Sequence, residues 1–303
     1  MRRQQAPRET AGAVVVIGAG PAGIAAAIQL KRYGLEPLLL EKERVGGLLW
    51  NANRVENYPG FPGGVTGPKL IALMEKHMNR IGVEVTREEV VSVDLQDDVL
   101  IVETKKSKYA ASAVVVATGT KANPIPEVVA ENARDRIFGE VWPLLEARGK
   151  RILIVGAGDA AFDYALNLSK KRNSVTILNR GEDVKCLGLL FERAALEPLI
   201  EYRARTAVRR VEADLAAGRL KVECDADGTV ESLAADYVLF AIGREPNLGF
   251  LSESVRRRER DLAEAGRLFF VGDVINGLFR QTAIAAGDGL RAAMQIWHNL
   301  EKR

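Results

Sequence analysis

Two clusters of small residues have the types and spacing to hold phosphate. Gly18, Gly20 and Gly23 stand in GxGxxG spacing within "GAGPAG", and Gly156, Gly158 and Ala161 stand in GxGxxA spacing within "GAGDAA". The first glycine of such a cluster permits a tight turn from strand into helix, and the second lets the backbone approach a pyrophosphate. The third small residue lets helix and strand pack closely. A helix that begins there offers free N–H groups and its positive dipole end to the ligand. The chemistry these residues suit is dinucleotide binding. One such fingerprint is weak evidence, because glycine turns also arise for purely steric reasons; two in the same strand–turn–helix setting are far stronger.

The residues that would read the adenosine ribose differ between the clusters. Glu41, followed by Lys42, lies 23 positions beyond Gly18, where a carboxylate can accept both ribose hydroxyls. The equivalent position of the second cluster is Asn179, followed by Arg180. A neutral residue beside a cation suits a ribose that carries a 2'-phosphate. The first site therefore reads as one for FAD or NAD, and the second leans toward NADP(H), although Arg180 could equally be an exposed charge at a strand end.

The elements that position these groups are written twice. Val16 to Lys42 aligns without a gap on Ile154 to Arg180. Each copy has an apolar strand, a glycine turn, a helix with small residues in its first turns, and a second apolar strand, which is a βαβ unit. The uncharged run Ala13 to Leu30 would pass a crude length filter for a membrane span. Its glycines and proline sit at phosphate-loop spacing, so a buried strand, turn and helix is expected, with no membrane partner.

Composition narrows the function classes. The 303 residues suffice for one large or two ordinary domains with a core in each. Lys and Arg number 43 against 40 Asp and Glu, a net charge of +3 with the basic residues scattered among acidic ones, so no nucleic-acid partner is expected. The two cysteines, Cys186 and Cys224, lie 38 positions apart with no CxxC and no metal-ligand spacing. That excludes a disulfide scaffold and fits a reduced, cytoplasmic compartment. The opening "MRRQQAPRET" reads as a frayed tail without an export signal.

Further strings in fixed order make the chain resemble a known family. These are "VGGLLWNANRVENYPGFPGGVTGPKL" (45–70), "VVVATGT" (114–120), "FAIGREPN" (240–247) and "FVGDVINGLFRQTAIAAGDG" (270–289). With the fingerprints, they resemble the low-molecular-weight thioredoxin reductases, FAD and NADPH enzymes that include ferredoxin-NADP reductases of the thioredoxin reductase type. The resemblance runs from Val14 to about Leu300.

It implies an α/β fold of two Rossmann-like, three-layer ββα dinucleotide-binding domains, as in pyridine nucleotide-disulfide oxidoreductases. A discontinuous FAD domain would comprise residues 10–120 and 244–303, with an NAD(P)H domain at 121–243 inserted between them. Breakers in "TGTKANPIP" and "IGREPN" supply a hinge there independently. Homodimers and rotation of the nucleotide domain are further family traits.

The resemblance also assigns site residues. FAD would meet Gly18, Gly20, Pro21, Ala22, Gly23, Glu41 and Lys42, with Gly46, Gly47 and Leu48 passing under the ring and Asn57 anchoring that loop. Ala117, Thr118 and Gly119 join them, as do Gly272 and Asp273, the latter accepting from the ribityl chain. Arg280, Gln281, Thr282 and Ala283 open a helix whose positive end would face the flavin edge. Read alone, Asp273 would be a helix cap and Arg280 a surface charge. Trp50 and Tyr58 could lie on the ring or simply pack in the core. The nicotinamide nucleotide would meet Gly156, Gly158, Asp159, Ala160, Ala161, Asn179, Arg180 and Gly243.

Three departures stand out. The redox CxxC of thioredoxin reductases would fall at Gly139 and Trp142, so no dithiol relay exists here, and Trp142 could cover the flavin face that a disulfide would otherwise meet. The family's His-Arg-Arg cluster for the 2'-phosphate is represented by Asn179, Arg180 and Gly181, with Glu182 beside it. Where the family often has Gln after the paired glycines, this chain has Leu48. Cys186 follows Lys185, a cation that would favour a thiolate, but has no resolving partner; Cys224 reads as structural. His77 and His298 have no catalytic neighbours at suitable spacing.

The expectation is an FAD-dependent oxidoreductase with no catalytic side chain of its own, moving electrons between NAD(P)H and an unidentified external acceptor. Basic clusters at 169–173 and 255–267 are either solvated surface or a dock for an acidic carrier such as ferredoxin or flavodoxin. Two alternatives stay open: a reductase fed by ferredoxin or by a second flavin, and a non-catalytic flavin-binding sensor or scaffold.

Overall fold

The computed structural model describes residues 14–302. The tail "MRRQQAPRET" and Ala13 lie outside them. From Val14 the chain forms β1 (Val14–Ile17), α1 (Pro21–Arg32), β2 (Leu38–Glu41), α2 (Gly67–Ile81) and β3 (Val85–Arg87). A meander of β4 (Val90–Gln96), β5 (Val99–Thr104) and β6 (Lys108–Ala111) leads to β7 (Ala113–Val116) and β8 (Thr120–Ala122). Next come β9 (Ile137–Phe138), β10 (Arg151–Val155), α3 (Asp159–Ser169), β11 (Ser174–Leu178), α4 (Gly188–Ala195) and β12 (Ile200–Arg203). A second meander of β13 (Thr206–Asp214), β14 (Arg219–Ala226) and β15 (Thr229–Ala235) precedes β16 (Tyr237–Phe240) and β17 (Arg244–Pro246). The chain closes with α5 (Glu253–Arg257), α6 (Glu259–Glu264), β18 (Leu268–Phe270) and α7 (Thr282–Glu301).

Two compact units result. The first ends at Lys121 and resumes at Glu245; the second is Ala122–Arg244 together with the four residues Asn51–Arg54. The sequence placed both crossings one residue earlier and left Asn51–Arg54 in the first domain. The crossings run through β8 and β17, which pair as a two-stranded ribbon.

Each unit is a five-stranded parallel sheet between a helical layer and an antiparallel meander. The first sheet has the order β18-β7-β1-β2-β3 and the second β9-β16-β10-β11-β12, so the strands correspond one to one. Alternation in the central strands explains the layering. Val14 and Val16 enter the core beneath α1 and α7, whereas Val15 and Ile17 enter the core against β4–β6. Likewise Ile152 and Ile154 face α3 while Leu153 faces β13–β15. A strand covered on both faces reads as an unbroken apolar run, which is why this sequence mimics a membrane span.

In the first unit α1 lies directly on α7. A Cβ on Gly289 would stand 2.0 Å from the Ala22 carbonyl oxygen, so the two backbones touch there. The far end of that contact is closed by Tyr33 stacked on Trp297, with ring centroids 5.0 Å apart.

Candidate functional site

The first glycine turn follows from backbone geometry. Gly18 has φ +101, and a Cβ there would meet the Ala117 carbonyl oxygen at 2.5 Å. The Gly18 N–H donates to Leu40 O and the Ala117 N–H to Ile17 O, which draws β1, β2 and the end of β7 together beneath the turn. Gly20 caps α1 without a side-chain hydrogen bond, so the cap leaves the first helical N–H groups to a ligand. Glu41 accepts from Ala19 N at 2.8 Å and from Glu43 N at 2.9 Å, placing its carboxylate beside the turn at the end of β2.

Other candidate flavin residues converge on this turn. Gly46 donates its N–H to Ala19 O and has φ +107; a Cβ there would strike Ile71 at 2.5 Å. Gly47, at φ +51, lies so close to Gly20 that its Cβ would sit 3.3 Å from that residue's Cα. Thr118 Oγ1 donates to Asn247 O, and Asn247 N donates to Gly119 O, which fixes the 117–119 turn. Asn57 Nδ2 donates to Gln281 Oε1 at 2.8 Å, joining two predicted contacts that are 224 residues apart. Trp50 packs under the Arg44 guanidinium at 4.4 Å and donates Nε1–H to Val45 O, while Tyr58 packs on Phe61.

Asp288 was not among the residues singled out from sequence. Its carboxylate accepts from Gly272 N and from Asn276 Nδ2, so it holds the turn that carries Asp273. It lies in the string 270–289 that carries the resemblance, but nothing local in that string points to Gly272 as its partner.

The residues present fit FAD on one direct test. Arg280 Nε is buried with no hydrogen-bond partner among the described residues, at the entrance to α7. A buried donor left unpaired is costly, and a ligand acceptor would satisfy it. Gly20 and Gly119, by contrast, face open space where a side chain would otherwise stand.

The second glycine turn repeats the first. Gly156 has φ +126, its Cβ would lie 2.3 Å from Ala241 O, and Gly156 N donates to Leu178 O. Gly158 caps α3, again without a side-chain bond, and Ala161 is fully buried. Asp159 accepts from Leu187 N at 2.8 Å, and Lys185 bridges to Gly158, so the 185–187 segment borders this turn.

Asn179 behaves differently from the expectation. Its side chain is buried; Nδ2 donates to Asp183 O and to the Tyr202 hydroxyl, and Oδ1 accepts from Gly181 N. It shapes the 179–183 loop from within and has no amide hydrogen left for a ribose. Arg180 is exposed and makes no hydrogen bond or ion pair among the described residues. Glu182, which sequence set against it, is paired with Arg205.

Gly139 and Trp142, where the resemblance leads one to expect relay cysteines, flank Glu140, which accepts from Arg244 Nη1 and from Asn51 Nδ2 at 2.6 Å each. Burial and the nearby Asp159 push the Cys186 thiol up, so the thiolate expected from Lys185 is opposed by its surroundings. Cys224 is buried in the core against β13–β15, and its thiol is pushed up to about 11 by burial. Neither cysteine is disulfide-bonded.

Comparison with known proteins agrees with this architecture. The chain matches the pyridine nucleotide-disulphide oxidoreductase family over residues 12–289. It is 31% identical over 297 residues to a thioredoxin reductase of Streptomyces coelicolor, covering 93% of this chain and 91% of that protein. The crystal structure of Lactococcus lactis thioredoxin reductase is similar with a TM-score of 0.83 at 27% identity, covering 96% of this chain and 100% of the other. T. acidophilum thioredoxin reductase gives 0.81 at 25% identity, covering 95% and 98%. The thioredoxin reductase family uses FAD and NADPH. No helix among the described residues is long and apolar enough to cross a membrane. The chain therefore belongs to the pyridine nucleotide-disulphide oxidoreductase family, as a thioredoxin reductase-like flavoprotein built from two Rossmann-like domains.

Proposed function

We propose that this chain is an FAD-dependent oxidoreductase that takes electrons from NAD(P)H and passes them to an external acceptor with no protein dithiol between. The carrying observation is the combination of two complete glycine turns with Gly139 and Trp142 at the relay positions and no CxxC anywhere in the chain. Bound FAD would supply the redox chemistry, since a flavin can accept a hydride and release its electrons to an oxidant.

The protein's part is holding and orientation. Gly18, Gly20 and the start of α1 would take the pyrophosphate, Glu41 the adenosine ribose, and Arg280 with the 281–283 turn the flavin edge. In the second unit Gly156, Gly158 and the start of α3 would take the nicotinamide dinucleotide, with Arg180 as the cation nearest its ribose. Such positioning supports hydride transfer without a protein acid or base.

The basic run at 255–267 speaks for a small acceptor over an acidic carrier protein. Arg257 pairs with Glu253, Arg258 and Arg267 share Asp98, and Arg260 pairs with Glu264, while Arg256 donates to backbone carbonyls, so most of its charges are already engaged. Anaerobic stopped-flow mixing with NADPH tests the proposal. Rapid loss of oxidised-flavin absorbance is expected, followed by turnover when ferricyanide is added; an unchanged flavin spectrum at saturating nucleotide overturns it.

A further inference from the structure

The loop after β11 presents an electrostatic problem. Arg180 is the cation available to a 2'-phosphate, yet Glu182 stands two residues away on the same exposed loop. A carboxylate beside that cation would neutralise it and repel a phosphate dianion. In the structure Glu182 is instead engaged by Arg205, a residue from the turn between β12 and β13.

Arg205 is fixed in place by its backbone. Its N–H donates to Gly181 O at 2.9 Å, which ties that turn to the 179–183 loop. Its φ of +49 lies in the left-handed region. The guanidinium contacts Glu182 and also lies 3.5 Å from Asp227, whose N–H donates back to Arg205 O. One cation thus serves two protein carboxylates and has little charge left for a ligand.

We infer that Arg205 sets coenzyme preference at a distance, by holding the Glu182 carboxylate away from Arg180 so that Arg180 meets the 2'-phosphate of the adenosine ribose unopposed. The inference rests on the reading of the second unit as an NADP(H) site and adds a positioning residue to it. Arg205 touches neither nicotinamide nor phosphate in this arrangement; its whole effect passes through Glu182.

Calorimetric titration of the purified flavoprotein with adenosine 2',5'-bisphosphate and with 5'-AMP tests this without relying on turnover, and the ratio of the two affinities is the readout. Arg205→Asn is the variant to use, because asparagine tolerates the left-handed backbone. It should lower the preference for the bisphosphate about fivefold, less at high salt because the groups are exposed. Arg205→Lys, which keeps a cation for Glu182, should stay near wild type. The double variant Arg205→Asn with Glu182→Gln should regain the preference, since the carboxylate to be restrained is gone.

A double variant that stays as weak as Arg205→Asn, or an Arg205→Asn protein with unaltered preference, overturns the inference alone. If the wild-type protein binds both probes equally and Arg180→Ala changes nothing, the NADP(H) reading itself falls, and the inference with it. Thermal melts of each variant show whether a lost preference reflects a lost fold.

Discussion

The two βαβ copies share a backbone and diverge in side-chain use. Gly18 and Gly156 make the same turn, donate to the same neighbouring strand and crowd the same carbonyl, that of Ala117 in one and Ala241 in the other. Among the many positions at which the copies differ, three bear on the sites. Gly23 is replaced by Ala161, Ala25 by Asp163, and Glu41 by Asn179. The carboxylate of Glu41 sits beside its turn, whereas the amide of Asn179 is turned inward on Tyr202 and Asp183. A duplicated fold therefore keeps what the phosphate turn demands of the backbone and redistributes what the ribose demands of side chains.

The widest test of that symmetry is the third fingerprint position. A Cβ on Gly23 would lie 1.8 Å from the Gly18 carbonyl oxygen, a backbone atom that cannot step aside. Gly23→Ala should cost about 3 kcal/mol and sharply reduce flavin per chain, through overpacking of α1 on its own turn. Ala161→Gly in the other copy removes a fully buried methyl and adds backbone freedom, and should cost only about 1 kcal/mol. Melting temperature and flavin absorbance report both, and equal losses would mean that the two turns are not packed differently.

Next in size is the residue after the second strand. Asn179→Asp keeps the shape but cannot donate to Asp183 O and puts a carboxylate at a buried position, so a stability loss of about 2 kcal/mol is expected. Glu41→Gln, partly exposed and bonded only to backbone N–H groups, should leave the melting temperature nearly unchanged while weakening flavin retention. Urea titration separates the two, and a stable Asn179→Asp protein would show that the inward amide is dispensable.

These contrasts mark what was legible in the sequence. Glycine spacing reports a local backbone requirement, so both turns with their strands and helices could be read directly, while the opening of α7 came from the resemblance. Spacing also places a Cα at the ribose, but it does not say which way the side chain turns, and Asn179 turned inward because Tyr202 and Gly181 offered partners. Asp288 and Arg205 were missed because each acts on a turn remote in sequence: 16 positions separate Asp288 from Gly272, and 23 separate Arg205 from Glu182. The grouping of Asn51–Arg54 with the second unit rests on contacts such as Asn51 with Glu140, 89 positions apart, and no local pattern encodes it.

Asp163 is a difference between the copies that titrates. Burial raises its carboxyl to about 6, opposed by a hydrogen bond from Asn53 N, where the first copy has an alanine. Because the folded protein holds this proton more tightly than the unfolded chain, stability attributable to Asp163 falls as pH rises from about 4 to about 6 and stays lost above that. Asp163→Asn should therefore be more stable than wild type at pH 8 by about 1–2 kcal/mol, with the advantage fading below about pH 4. Parallel melting curves across that range would remove Asp163 from the account.

The meanders supply the finest comparison. Each is extended by one short parallel bridge, Val93 with Leu251 in the first unit and Val129 with Val211 in the second. The first is reinforced by a carboxylate, since Asp94 accepts from Ser252 and Ser254 at the start of α5; the second by the neutral Asn132, which accepts from Ala213 N. Those serine hydroxyls, with desolvation opposing them, lower Asp94 to about 2. A depressed carboxylate stabilises fully above its unfolded value near 4 and loses that contribution as pH falls toward 2. Asp94→Asn should then cost about 1 kcal/mol at pH 7, a modest figure because the group is partly exposed, and the gap from wild type should close near pH 2. Asn132→Ala removes a neutral acceptor, so its deficit should not vary with pH, and a pH-independent deficit in Asp94→Asn as well would show that the two reinforcements work alike.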